Sequence, residues 1–139
     1  EQETKRRTVS HSHVMAPDMR TEERTRAVLI RLIHKAAFRL RRLKYMAGNM
    51  TINVKYFNSK SSWKRTLNIG KRHDTQSLIR AFSDIWEERP HGLTPLSVAV
   101  VLSKLSPINE TSYSLFSNEF KQDQLVTALD KINERYGMN

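Results

Sequence analysis

The chain has 139 residues, enough for one domain with a modest core, and carries 24 Lys/Arg against 14 Asp/Glu, a formal net charge of +10 at pH 7. No apolar run approaches the roughly 18 residues of a membrane-spanning helix. The absence of cysteine excludes disulfides, thiolate metal sites and a cysteine nucleophile, and fits a reducing compartment. Charge is segregated: residues 1–72 hold 18 cations and five acids, whereas residues 73–139 hold six cations and nine acids. Such a division points to a half that faces a polyanion, nucleic acid before an anionic membrane surface.

The opening "EQETKRR" resembles no signal or transit peptide, and residues 1–5 are expected to be a disordered edge cut from a longer chain. "RRTVSHSHVM" (6–15) has β-formers with small polar residues between them, followed by a turn at Ala16-Pro17-Asp18. Thr21 is placed to cap a helix, with Glu22 and Glu23 in its first turn. Val28, Leu29, Leu32, Ile33, Ala36, Leu40 and Leu43 recur at helical spacing, and Gly48-Asn49 is the expected stop. On its other side Arg24, Arg31, Lys35, Arg39 and Arg42 read as a solvated charged face.

"MTINVKYF" (50–57) alternates, Ile52, Val54 and Tyr56 against Thr51, Asn53 and Lys55. "NSKSS" is a hairpin-length link to "SWKRTLNI" (62–69), which is expected to pair with it antiparallel. Asp74 or Thr75 begins a second amphipathic helix, with Leu78, Ile79, Phe82, Ile85 and Trp86 on one side and a stop at Pro90-His91-Gly92. "LSVAVVLSKL" (96–105) is apolar on both parities, as suits a central strand. Residues 106–117 read as a loop and 118–139 as a last helix and tail, with Leu125, Val126, Leu129, Ile132 and Tyr136 on one side. The fold class is therefore α+β: a β-α-β-β-α-β four-stranded sheet with two helices on one face and the other face open, plus a C-terminal helix.

Catalytic signatures are missing. There is no phosphate-binding glycine loop, dinucleotide fingerprint or H-E-x-x-H. His11 and His13 share a strand face, but no further ligand type sits at motif spacing, so no metal site is read. His34 lies within the first helix and reads as a surface or packing residue.

Taken in order, "RRTVSHSHVMAPDMRT", "RLRRLKYMAGNMTINVKYF", "WKRTL", "HDTQSLIRAF" and "LSVAVVLSKL" resemble the little finger domain of Y-family translesion DNA polymerases, in the bacterial ImpB/MucB/SamB/UmuC-type branch. The resemblance covers residues 6–105 and continues through "LVTALDKINERYG". It implies a non-catalytic domain, cytoplasmic and nucleoid-associated, whose open sheet face grips double-stranded primer-template DNA during lesion bypass and repair. Nucleotidyl transfer, with its magnesium and carboxylates, would belong to a palm outside this chain. No cofactor or membrane contact is implied for the segment itself.

Combined with strand parity, the resemblance gives a candidate DNA-binding set of Arg6, Arg7, Thr8, Ser10, His11, Ser12, Asn53, Lys55, Ser62, Lys64, Arg65 and Thr66. The small residues would let phosphate approach the backbone. Ser62, Lys64 and Thr66 share one face, and Trp63, Arg65 and Leu67 share the other. A bulge or edge position would be needed to bring Arg65 round. Trp63 is expected to pack in the core or at its rim.

"TSYSLF" resembles the bacterial sliding-clamp pentapeptide, with Ser112, Tyr113, Ser114, Leu115 and Phe116 in its five places; Ser112 and Tyr113 depart from the usual glutamine and leucine. The other reading has Leu115 and Phe116 stapling the last helix. Two alternatives stay open for the domain. One is an RNA-recognition module, although "WKRTLNI" and "LSVAVVL" lack that module's aromatic signature. The other is an inert domain of a catalytically degenerate polymerase relative.

Overall fold

The computed structural model describes residues 8–108, and residues 1–7 and 109–139 lie outside it. The elements are β1 (Thr8–Val14), α1 (Glu22–Arg42), β2 (Tyr45–Tyr56), β3 (Ser62–Arg72), α2 (Thr75–Ile85) and β4 (Pro95–Pro107), with short 3-10 turns at Pro17–Met19 and Trp86–Glu88. The sheet order is β1-β4-β2-β3, and every neighbouring pair is antiparallel. α1 therefore links two strands that flank β4, and α2 links two that flank β2. The most apolar strand is central, as its composition predicts.

Both helices start where short polar side chains can satisfy free N–H groups. Thr21 Oγ1 accepts from the Arg24 N–H at 3.2 Å, and Asp74 Oδ2 accepts from the Ser77 N–H at 3.0 Å. α1 stops at Arg42, earlier than the Gly48-Asn49 expectation. The Leu43 N–H bonds Arg39 O, the Lys44 N–H bonds Arg41 O, and Lys44 then turns left-handed at φ 64°. Residues 45–49 extend β2 instead. Gly48 lies against Lys104, where an added Cβ would stand 3.2 Å from the lysine Cβ; the glycine marks a close approach of two strands, not a helix end. α2 likewise ends at Ile85 and a 3-10 turn follows, ahead of the expected stop at Pro90.

The core lies between the helices and one sheet face. Leu29, Ile33, Leu40, Met50, Ile52, Leu78, Phe82, Val100 and Leu102 are fully buried there. Each such side chain contributes about 1.5–3 kcal/mol through burial. Trp63 is 8% exposed and packs edge-on to Trp86 at 5.9 Å between ring centroids, which assigns it to the core rim. Arg89 closes the far corner. Its guanidinium stacks 4.2 Å over Trp86, donates to Trp86 O at 2.7 Å and to Glu22 Oε1 at 2.7 Å, and so ties the turn after α2 to the start of α1. At α1's other end Arg41 donates to His73 O at 2.6 Å and Thr75 Oγ1 at 3.2 Å.

Candidate nucleic-acid interface

Strand registers define the uncovered face row by row. Ser12, Ala99, Asn53 and Lys64 form one row; Ser10, Val101, Thr51 and Thr66 the next; Thr8, Ser103, Asn49 and Asn68 a third; and Val14, Ser97, Lys55 and Ser62 a fourth. Nothing among the described residues covers this surface, because both helices occupy the opposite one. Its middle is low: serine, alanine, threonine and one valine let a ligand come close to the backbone. Thr51 and Thr66 share a hydrogen bond between their hydroxyls at 2.9 Å.

Cations stand at one side of this floor. Lys55 and Lys64 are exposed diagonal neighbours on β2 and β3, about 7–8 Å apart. No Asp or Glu occurs in any of the four strands. The described acids lie on the helix side or in its connecting turns, at Asp18, Glu22, Glu23, Asp74, Asp84, Glu87 and Glu88. The face is thus one of hydroxyls, amides and ammonium groups, a set that donates hydrogen bonds to anionic oxygen.

Eight of the twelve candidate residues occupy this surface: Thr8, Ser10, Ser12, Asn53, Lys55, Ser62, Lys64 and Thr66. Arg65 and His11 do not. Arg65 pairs with Ile52 on the helix-covered side and forms an ion pair with Glu88. The irregularity in β2–β3 pairing falls between Ala47 and Asn49, too far along the strand to rotate Arg65 outward. His11 also faces the helices, next to Val100. Burial is the largest cause lowering its pKa from the usual histidine value, followed by Arg39 and then Lys35, and its Nε2 is buried without a hydrogen-bond partner among the described residues. Arg6, Arg7 and residues 112–116 lie outside the described residues.

Sequence reasoning missed β4's share of the face. Ser97, Ala99, Val101 and Ser103 point outward while Val98, Val100 and Leu102 point into the core. The signal was side-chain size alternating at period 2, hidden by uniform hydropathy. Asn49, Thr51 and Asn68 also join the surface.

Among the described residues no group of three or more His, Cys, Asp or Glu is placed to hold a metal ion. No helix among these residues is long and apolar enough to cross a membrane.

The impB/mucB/samB family C-terminal domain matches residues 6–115. DNA polymerase IV from Bacillus anthracis and from Bacillus cereus are each 21% identical over 136 residues, covering 95% of this chain. The chain spans about a third, 33%, of the length of these relatives. Among solved structures, a complex of the beta-clamp processivity factor with the little finger domain of PolIV aligns with a TM-score of 0.57 at 21% identity, covering 74% of this chain and 93% of that one. A Dbh–Dpo4 Y-family DNA polymerase chimera aligns with a TM-score of 0.61 at 10% identity, covering 75% of this chain and 30% of the chimera. The sheet order, the two helices on one face and the family match over residues 6–115 agree: this chain belongs to the impB/mucB/samB family, as its C-terminal domain.

Proposed function

We propose that this domain is the little finger of a Y-family translesion DNA polymerase, holding primer-template duplex against its open sheet face through the sugar–phosphate backbone. The observation that carries this reading is the uncovered sheet surface, low and hydroxyl-rich in its middle, edged by Lys55 and Lys64 and free of strand carboxylates. Phosphate contact without base-edge contact suits a polymerase that must slide along any template and across damaged bases. The domain itself is non-catalytic, and nucleotide addition belongs to other domains of the parent polymerase, as does its magnesium. The remaining members of the contact set are Arg6, Arg7, Thr8, Ser10, Ser12, Asn53, Ser62 and Thr66.

The test is a salt titration of duplex binding. With about four to six phosphates neutralised, the log–log slope is expected near −4 to −5. Lys55→Ala with Lys64→Ala should weaken binding roughly 10- to 50-fold at 0.1 M salt and flatten the slope by about 2. Equal affinity and slope in the double variant would remove these lysines from the interface. Tighter binding to single-stranded RNA than to DNA duplex would favour an RNA-recognition module, and binding to neither would favour an inert domain.

A second contact, with a replicative sliding clamp, draws on two observations. Residues 112–116 resemble the clamp pentapeptide, and a solved little finger that aligns with this chain was captured on a beta-clamp. Adjacent Leu115 and Phe116 would fill an apolar groove while backbone bonds hold the segment. Leu115→Ala with Phe116→Ala should abolish clamp co-elution and leave the domain's thermal melt unchanged. A lowered melting temperature would instead assign the pair to packing.

A further inference from the structure

Carboxylates and cations are matched unevenly over α1. Glu22 and Glu87 lie near Arg89, and Glu88 pairs with Arg65, so acids serve the turn after α2 and the first turn of α1. From Arg24 to Arg42 the helix has no acid. Arg31, Lys35 and Arg39 follow one another at four-residue spacing, and none has a carboxylate within ion-pairing distance among the described residues. Like charges at this spacing cost a helix a few tenths of a kcal/mol per pair, about 0.2–0.5. Lys35 and Arg39 also bear on His11 across the helix–sheet boundary, where β4 contributes only apolar Val98, Val100 and Leu102. Among the described residues Lys35 and Arg39 thus act on His11 without a carboxylate to offset them.

β1 is an edge strand. Ser10 and Ser12 face the open surface, and His11 between them faces α1, whose Lys35 and Arg39 act on it electrostatically. We propose that Arg31, Lys35 and Arg39 form a second phosphate-binding face, which takes a single-stranded extension of the nucleic acid as it passes round the β1 edge. The assignment rests on the open-face reading for the duplex and adds a separate site. Duplex DNA is stiff, and bending it round a sheet edge carries a deformation cost that a flexible single strand escapes. Cations one helical turn apart, about 5–6 Å, suit successive phosphates of such a strand.

The experiment uses the 139-residue chain with a short blunt duplex and with the same duplex bearing a 5′ or a 3′ single-stranded extension. Wild type should bind one of the extended forms several-fold tighter than the blunt one. Arg31→Ala/Lys35→Ala/Arg39→Ala should lose that gain, keep blunt-duplex affinity, and flatten the salt slope on extended DNA by about 2. Arg31→Lys with Arg39→Lys should retain it. By NMR, bound phosphate should offset Arg39 and Lys35 and raise the His11 titration midpoint, an effect the blunt duplex should not produce. Three results overturn the proposal: an extension gain that survives the triple variant, a His11 midpoint indifferent to the extension, or a polyglutamate peptide or anionic vesicle that moves His11 where extended DNA does not. Failure of the open-face reading would show separately, as blunt-duplex binding insensitive to Lys55 and Lys64.

Discussion

Lys64 and Arg65 are consecutive cations on one strand, and the sheet sends them to opposite environments. Lys64 stands exposed on a surface without carboxylates, beside Asn53 and diagonal to Lys55. Arg65 points to the helix side and is claimed by Glu88. The contrast extends across all four strands. One face carries Val9, Met50, Ile52, Val54, Val98, Val100 and Leu102 into the core, while the other carries serine, threonine, asparagine, alanine and lysine outward, with Val14 and Val101 among them. Charge number alone therefore says little about where a polyanion binds; facing and neutralisation decide it.

Breaking the covered face should produce the largest effect. Phe82→Ala removes a fully buried ring from under α2 and should cost about 3–5 kcal/mol in chemical denaturation. Next comes the corner held by Arg89. Arg89→Ala forfeits two short charge-assisted bonds and the stack on Trp86, so a loss of about 2 kcal/mol is expected, with duplex affinity unchanged for the folded fraction. The sharpest comparison is Lys64→Ala against Arg65→Ala. The first should weaken duplex binding on the order of tenfold at 0.1 M salt with an unchanged melt. The second should leave binding intact and lower stability by at most about 1 kcal/mol, since its ion pair is partly exposed. Similar binding losses in both would contradict the facing described above.

The smallest effect concerns His11. Its folded pKa lies below the ordinary 6.5, so the unfolded chain binds more protons as pH falls through that region. The stabilisation is complete above about pH 6.5 and is lost as pH drops toward the folded value. Denaturation midpoints measured between pH 7.5 and 5 should decline less in His11→Leu than in the parent chain.

Much of this arrangement was legible from period and caps. Ile52/Val54/Tyr56 against Thr51/Asn53/Lys55 assigned both faces of β2, Thr21 marked the first helix start, and the pair Asp74 or Thr75 the second, where Asp74 is the cap. What escaped had a local cause. Residues 45–49 have no alternation, and Gly48 mimics a helix stop when its use is to admit Lys104. The left-handed turn that ends α1 is made by Lys44, a residue type that seldom advertises one. The orientation of Arg65 depended on where the strand irregularity fell, a property of pairing between strands and invisible in either strand alone.

β3 has a further consequence at its outer margin. Opposite the stretch between Ala47 and Asn49 the pairing slips, and Gly70 and Lys71 both adopt left-handed backbone, at φ 67° and 62°. A second copy approaching in register would meet a rail that falls out of step at Gly70 and Lys71 and is flanked by Lys60, Lys64, Lys71 and Arg72. The β3 edge is thereby guarded against zipping to its own kind.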